Sequence, residues 1–339
     1  MLLFSTSLVA ALIALGRTAP LVGSIGSTSR PASIARRDSS IAGPVTKSNF
    51  PDPGVIPVDG NYYAFSTSSM GLHVPWASKA GAQTWTINSA DALPSPGAWA
   101  EARDIWAPDV IQLTDGSFVM YYSAPPKGDP VLHCVGVATS KSVKGPYKAV
   151  DKPFACPVKQ GGAIDASGYQ DRVTGLRYVV YKVDGNAKGK GGDCGNSIEP
   201  IVSTPVLLQQ VGLDGVTLIG DPMPILDRDD RDGPLVEAPS IYQSAEGIYF
   251  LFFSSGCYTS PSYEIKYATA TDIAGPYTKA SKPLLKSGDG PNLNGAGGAS
   301  VSADGKVMIF HANLSPRGRP LYRGVFTAKP RFDGRTVTI

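Results

Sequence analysis

Three acidic residues stand in short segments spread along the chain: Asp52 in FPDPGVI, Asp165 in GGAIDASGY and Glu237 in LVEAPSIY. Each comes at or just ahead of an apolar, β-prone run, so each sits where the first strand of a β-unit begins. If those first strands converge on one axis, three carboxylates distant in sequence meet in one pocket. A carboxylate that activates water, a carboxyl that protonates a leaving oxygen and a third acid that tunes the second would suit hydrolysis of a glycosidic bond. Each acid also has a plainer reading. Asp52 precedes a proline and could only start a turn. Asp165 could cap a loop through its side chain. Glu237 follows Leu235-Val236 and enters an apolar strand, where an unpaired carboxylate would be costly.

The elements that must position these acids repeat. APDVIQLTDGSFVMYYSA (107–124) aligns without a gap on APSIYQSAEGIYFLFFSS (238–255), keeping Ala-Pro, Gln112/Gln243, Gly116/Gly247 and Ser123/Ser254. ATSKSVKGPY (138–147) likewise matches ATATDIAGPY (268–277). The recurring unit is an apolar strand, a turn with an acid and glycine, an aromatic strand, a loop, a third strand and Gly-Pro-Tyr. Weaker copies begin near Asp52, Asp165 and Ala299, and VSADGKVMIFHA keeps the same strand–turn–strand grammar. Five copies of this size predict an all-β fold, a five-bladed β-propeller with blades at 48–103, 104–160, 161–222, 233–285 and 290–339. A β-sandwich is the alternative, disfavoured because the repeats match in length and start at comparable strands. The 38 glycines and 29 prolines agree with a turn-rich β protein.

Residues 1–37 read differently. LLFSTSLVAALIAL has the length and apolarity of a signal-peptide core, and Ala35-Arg36-Arg37-Asp38 looks like a propeptide processing site. The expectation is a secreted, extracellular protein whose residues 1–37 are removed, leaving 38–339 as one propeller domain. No later segment has the length of a membrane span. Removing the four arginines of the leader leaves 27 basic and 28 acidic residues, a net charge of −1. With no basic stripe and no zinc-type Cys/His spacing, nucleic acid is not expected as a partner. The four cysteines, Cys134, Cys156, Cys194 and Cys257, allow three disulfide connectivities in a secreted chain. Cys134–Cys156, close in sequence, and Cys194–Cys257, tying a Gly-rich loop to the Glu237 unit, are favoured. Asn313-Leu314-Ser315 is a glycosylation sequon whose following Pro316 disfavours it.

Taken in order, FPDPGVI, WAPDVI, GGAIDASGY, VEAPSIY and the Gly-Pro-Tyr segments resemble glycoside hydrolase family 43, over essentially all of residues 48–339. The resemblance implies a five-bladed propeller enzyme on plant cell-wall polysaccharide that inverts anomeric configuration. It implies Asp52 as general base, Glu237 as general acid and Asp165 as the carboxylate that tunes and orients the acid. It further suggests α-L-arabinofuranosidase or arabinanase action, with β-xylosidase as the rival. A carbohydrate-binding propeller without catalysis is the alternative from another class. A monomer with an oligo- or polysaccharide substrate is expected.

Trp106 resembles an aromatic platform for a sugar face, with a core tryptophan at a blade junction as the alternative. Arg319 and Arg323 lie where the family often supplies an arginine near substrate; a solvated strand edge is the plainer reading. Asp109 reads as structural at the propeller centre. Trp76, Trp99 and Tyr258 are candidate subsite residues that would by default be core or rim. Relatives with an axial metal carry a Gly-His segment in blade five, whereas this chain has GPNLNGAGGASV there. Its three histidines, His73, His133 and His311, do not suggest a metal site, so no cofactor and no metal ligands are expected. The charged loop LDRDDRDGP (226–234) departs from the EF-hand pattern and is expected to shape the pocket mouth. The loop GNAKGKGGDCGN (185–196) lacks the features of a phosphate loop and reads as an active-site rim held through Cys194.

Overall fold

A computed structural model describes residues 40–46, 48–81, 84–129, 131–315 and 321–339. The expected leader at 1–37 and the candidate Arg319 lie outside the described residues. Among them, only short 3-10 turns interrupt the strands, and no helix is long and apolar enough to cross a membrane.

The chain enters through β1 (Ile41–Ala42). Blade one follows as β2 (Gly54–Val58), β3 (Asn61–Phe65), β4 (Trp76–Ala80) and β5 (Thr86–Ile87). Blade two holds β6 (Trp106–Gln112), β7 (Phe118–Ala124), β8 (Cys134–Ser140) and β9 (Lys148–Ala149). Blade three holds β10 (Ala163–Gln170), β11 (Arg177–Val183), β12 (Val206–Val211) and β13 (Leu218–Leu226). Blade four holds β14 (Val236–Gln243), β15 (Tyr249–Ser255), β16 (Glu264–Ala270) and β17 (Thr278–Lys279). Blade five has β18 (Gly297–Val301), β19 (Met308–Asn313) and β20 (Arg323–Ala328), and its fourth strand is β1. Each blade is a four-stranded antiparallel sheet, the five-bladed propeller expected from the repeat.

Two boundaries differ from the sequence reading. Blade three runs to Leu226 rather than 222, because β13 continues past Pro224. Residues after 328 do not complete blade five. They form a separate hairpin, β21 (Arg331–Asp333) with β22 (Thr336–Thr338), and the open edge of β20 is covered by Ile41 and Ala42. Covering that edge from the other end of the chain closes the ring and removes an exposed strand edge.

Packing explains the unbroken apolar runs of the second strands. In β15, Phe250 and Phe252 share an apolar cluster with Phe310 and Phe326 of blade five, while Leu251 and Phe253 share one with Val180 and Leu208 of blade three. A strand buried on both faces has no polar alternation to display. The same arrangement recurs at each interface, giving five apolar clusters between neighbouring blades. Both expected disulfides are present, Cys134–Cys156 within blade two and Cys194–Cys257 between the glycine-rich loop and blade four.

Candidate active site

The innermost strand of each blade carries one residue with left-handed backbone at the same place, two residues ahead of the strand in blade one and within it in the others. These are Asp52 (φ 50°), Ala107 (φ 41°), Asp165 (φ 58°), Ala238 (φ 52°) and Gly298 (φ 60°). In blades two to five this residue lies in a β-bulge, between Trp106 and Asp109, Ile164 and Ser167, Glu237 and Ser240, and Gly297 and Ser300. A bulge re-aims side chains and frees backbone from the sheet ladder. The strained N–H groups so released point to the neighbouring blade. Thr67 Oγ1 accepts from Ala107 N at 2.9 Å, Ser123 Oγ from Asp165 N at 3.0 Å and Ser254 Oγ from Gly298 N at 2.9 Å. His311 Nδ1 accepts from Asp52 N at 3.1 Å, and Asp165 Oδ2 from Ala238 N at 2.9 Å. Five hydrogen bonds thus belt the axis from blade to blade, each satisfying a donor that would otherwise be orphaned.

This belt aims the three acids into one cavity of about 330 Å³, whose walls also include Thr67, Trp106, Asp184, Asn186, Cys194, Tyr258, Tyr263 and Arg323. Asp52 Oδ1 accepts from Arg323 at 2.8 Å and Oδ2 from Thr67 at 2.7 Å. Burial pushes the Asp52 carboxyl up, but the Arg323 charge, then His311, then the hydrogen bonds from Thr67 and Arg323 together outweigh it and hold it below the usual carboxylate range. Glu237 is buried, with Tyr263 donating to Oε1 at 2.8 Å and Lys182 to Oε2 at 3.0 Å. Asp165 is pushed up to about 8, by burial first and then by the Glu237 charge, with Lys182 pulling the other way. Asp52 and Asp165 are thereby pushed in opposite directions, the first toward its ionised form and the second toward its protonated form.

Of the other candidates, Trp106 is half-buried and lines the cavity. One face lies on the His133 ring, with centroids 3.4 Å apart. Arg323 is no solvated edge, since it reaches Asp52 and lies under Tyr258 with its guanidinium 5.1 Å from the ring centroid. Asp109 accepts from Gly168 N at 2.9 Å and Ser167 Oγ at 3.3 Å, tying blades two and three below the site. Burial pushes its carboxyl up to about 7. Trp76 and Trp99 belong to the core between blades one and two. The glycine-rich loop does form a wall, through Asn186 and Cys194. The acidic loop does not. Asp229 and Asp232 are engaged by Lys279, and Asp232 also by Lys266, on blade four. Asn313 donates its side-chain amide to Tyr258 O at 3.3 Å, so the sequon's side chain serves the Tyr258 wall.

Lys182, Asp184, Thr67, Tyr263 and His311 were not singled out as site residues from the sequence. For Thr67, Lys182 and His311 the signal is positional, shared with Ser123 and Ser254. Thr67 lies opposite Pro51, Ser123 opposite Trp106, Lys182 opposite Ile164, Ser254 opposite Glu237 and His311 opposite Gly297. They occupy one column of the repeat, obscured by turns of different length.

Among the described residues, no three His, Cys, Asp or Glu side chains gather as ligands. At Gly298 a side-chain carbon would stand 2.9 Å from His311 Nδ1, so the space is filled from the next strand instead. His311 is fully buried and held to about 3, by burial first and then by Arg323. Its Nδ1 accepts from the Asp52 backbone N–H and lies 3.3 Å from the Asp52 carboxylate.

The chain is similar to several known proteins. An extracellular endo-α-(1→5)-L-arabinanase of Thermotoga petrophila is 29% identical over 258 residues, 67% of this chain and 50% of that protein. The chain thus spans about half the length of that relative. A probable arabinan endo-1,5-α-L-arabinosidase C of Aspergillus flavus is 28% identical over 304 residues, 80% of this chain and 84% of that protein. Among solved structures, a thermostable family-43 glycoside hydrolase superposes with a TM-score of 0.72 at 27% identity, covering 86% of this chain and 92% of that one. The profile of glycosyl hydrolases family 43 matches residues 41–334, so the chain belongs to that family.

Proposed function

We propose that this protein is a secreted, inverting glycoside hydrolase acting on arabinose-containing plant cell-wall polysaccharide, as an α-L-arabinofuranosidase or arabinanase. The carrying observation is that Asp52, Asp165 and Glu237 line a single cavity in contrasting electrostatic settings. Asp52, kept ionised, takes a proton from a water as that water attacks the anomeric carbon. Glu237 gives its proton to the departing glycosidic oxygen. Asp165 shares charge with Glu237 and so governs how readily that proton is held. Arg323 and Trp106 offer a donor and an aromatic face to the sugar. Arabinose specificity and secretion draw support from the names of the relatives, both for arabinan and, in the first, for an extracellular protein.

The test is an assay on aryl α-L-arabinofuranoside, aryl β-xyloside and linear arabinan, with the first product anomer read by proton NMR. Release of the inverted anomer from arabinose substrates is expected. Glu237→Gln should slow arabinan by at least about 100-fold while sparing an aryl glycoside with a good leaving group, because only the poor leaving group needs the proton. Equal losses on both would remove Glu237 from the acid role, and retention of configuration would overturn the mechanism.

A further inference from the structure

Lys182 departs from its column. At the matching place, Thr67, Ser123, Ser254 and His311 each accept the backbone N–H of the next blade's bulge. An ammonium cannot accept a hydrogen bond. Between blades three and four that duty passes to Asp165, whose Oδ2 binds Ala238 N. The fully buried lysine turns instead to two carboxylates, Glu237 Oε2 at 3.0 Å and Asp184 Oδ1 at 2.9 Å. Burying a lysine is costly unless it is paired, so a structural column has surrendered a blade-to-blade tie to place a cation at the acid.

We propose that Lys182 is a positioning residue of the reaction: it fixes the Glu237 carboxyl, and its charge, divided between Glu237 and Asp184, sets the upper pH limit of activity. The charged and titratable groups around it come from several elements. Asp165 faces the lysine from β10, and Glu237 from β14. Tyr263, ahead of β16, holds the other oxygen of Glu237 and senses Asp52 and Asp165. His133, whose Nε2 is 3.1 Å from Asp104 O, senses Asp184 from blade two. Two fates of the lysine charge follow. While Asp184 is ionised it neutralises part of that charge, leaving the Asp165–Glu237 pair free to keep a proton. As Glu237 releases its proton to the glycosidic oxygen, Lys182 is already in contact with the oxygen that becomes ionised.

The inference rests on Glu237 acting as the acid, and its test can be run without substrate. Enzyme carrying ¹³C-labelled aspartate and glutamate carboxyls is titrated by NMR, with the Asp165 signal assigned by its loss in Asp165→Asn. Removing the cation in Lys182→Met should move the midpoint of the Asp165–Glu237 pair up by about one pH unit or more. Asp184→Asn leaves the lysine un-neutralised and should move it down. The basic limb of the pH–rate profile should follow in the same opposite directions. A merely structural lysine would lower activity or stability in both variants without opposed shifts. Midpoints that stay put, or that move together, overturn the inference. If Lys182→Met fails to fold, Lys182→Gln, which keeps a hydrogen-bond donor without the charge, supplies the upward arm of the comparison. The Glu237→Gln leaving-group test stands apart: its failure removes the acid assignment while leaving the titration result intact.

Discussion

Removing the Arg323 charge should raise the acidic limb of the pH profile. The guanidinium lies 2.8 Å from Asp52 Oδ1, with side-chain exposures of 14% and 20%. Burial alone would push the Asp52 carboxyl up, and Arg323 is the largest influence pulling it down. An opposite charge this close displaces a carboxyl by about 1–3 pH units, or roughly 1.4–4 kcal/mol between its two protonation states. The Thr67 hydrogen bond survives substitution and the site is partly wet, so the lower end applies. In Arg323→Met the base is therefore protonated over a wider acid range, and the acidic limb of kcat/KM should climb by about one pH unit. The assay is kcat/KM against pH on aryl α-L-arabinofuranoside. Folding provides a second reading. A depressed carboxyl contributes stability above its unfolded value, and that contribution is lost as pH falls through the folded value. The stability difference between wild type and variant should therefore be full at neutral pH and shrink in acid. An acidic limb that stays in place while activity falls equally at every pH would show that Arg323 serves only the substrate.

Two further perturbations separate tie from charge and anchor from chemistry. Asp165→Asn removes the charge but can still accept from Ala238 N, whereas Asp165→Ala also orphans that buried donor at a cost of about 1–3 kcal/mol. Both variants should lose activity and only the alanine should lose much stability in thermal unfolding, so equal melting temperatures would refute the tie. Replacing Cys194 and Cys257 by serine releases a link across 63 residues, with a stability loss of about 2–5 kcal/mol expected. Because Cys194, Asn186 and Tyr258 share the cavity wall, KM should rise more than kcat falls. An unchanged KM would show that the wall stands without the disulfide.

Much of the architecture was legible because it repeats. The gapless match of 107–124 to 238–255 exposes two blades, and the acids of the other motifs fall at the same strand starts. Ring closure was not legible, since Ile41–Ala42 is two residues long and pairs with Ala328 and Thr327 at the far end of the chain. A pairing of that range leaves no periodicity to read. The lysine was hidden for another reason. Ser123 and Ser254 follow their bulge residues by the same interval, but the hairpins of blades one, three and five differ in length, so Thr67, Lys182 and His311 slip out of register with them. Only strand pairing restores the column. Asp184 and Tyr263 come from loops after the strands, where composition carries no constraint on direction.

A five-fold scaffold with a one-fold substrate must break its own symmetry somewhere, and here much of the breaking falls at three equivalent places per blade. The place before the bulge holds Pro51, Trp106, Ile164, Glu237 and Gly297; the bulge holds Asp52, Ala107, Asp165, Ala238 and Gly298. The facing strand supplies Thr67, Ser123, Lys182, Ser254 and His311. Alanine at a bulge with serine on the facing strand, as in blades two and four, keeps the ring tied. Where a carboxylate enters, its neighbours change too: Asp52 gains Arg323 and Thr67, and Glu237 gains Lys182 and Tyr263. Blade three shows the cost of this specialisation. Its facing residue became a cation for Glu237, so the carboxylate of Asp165 had to become the tie to blade four. The same oxygen that holds the ring together therefore fixes Asp165 beside the acid it tunes. Any change that frees it alters structure and charge together.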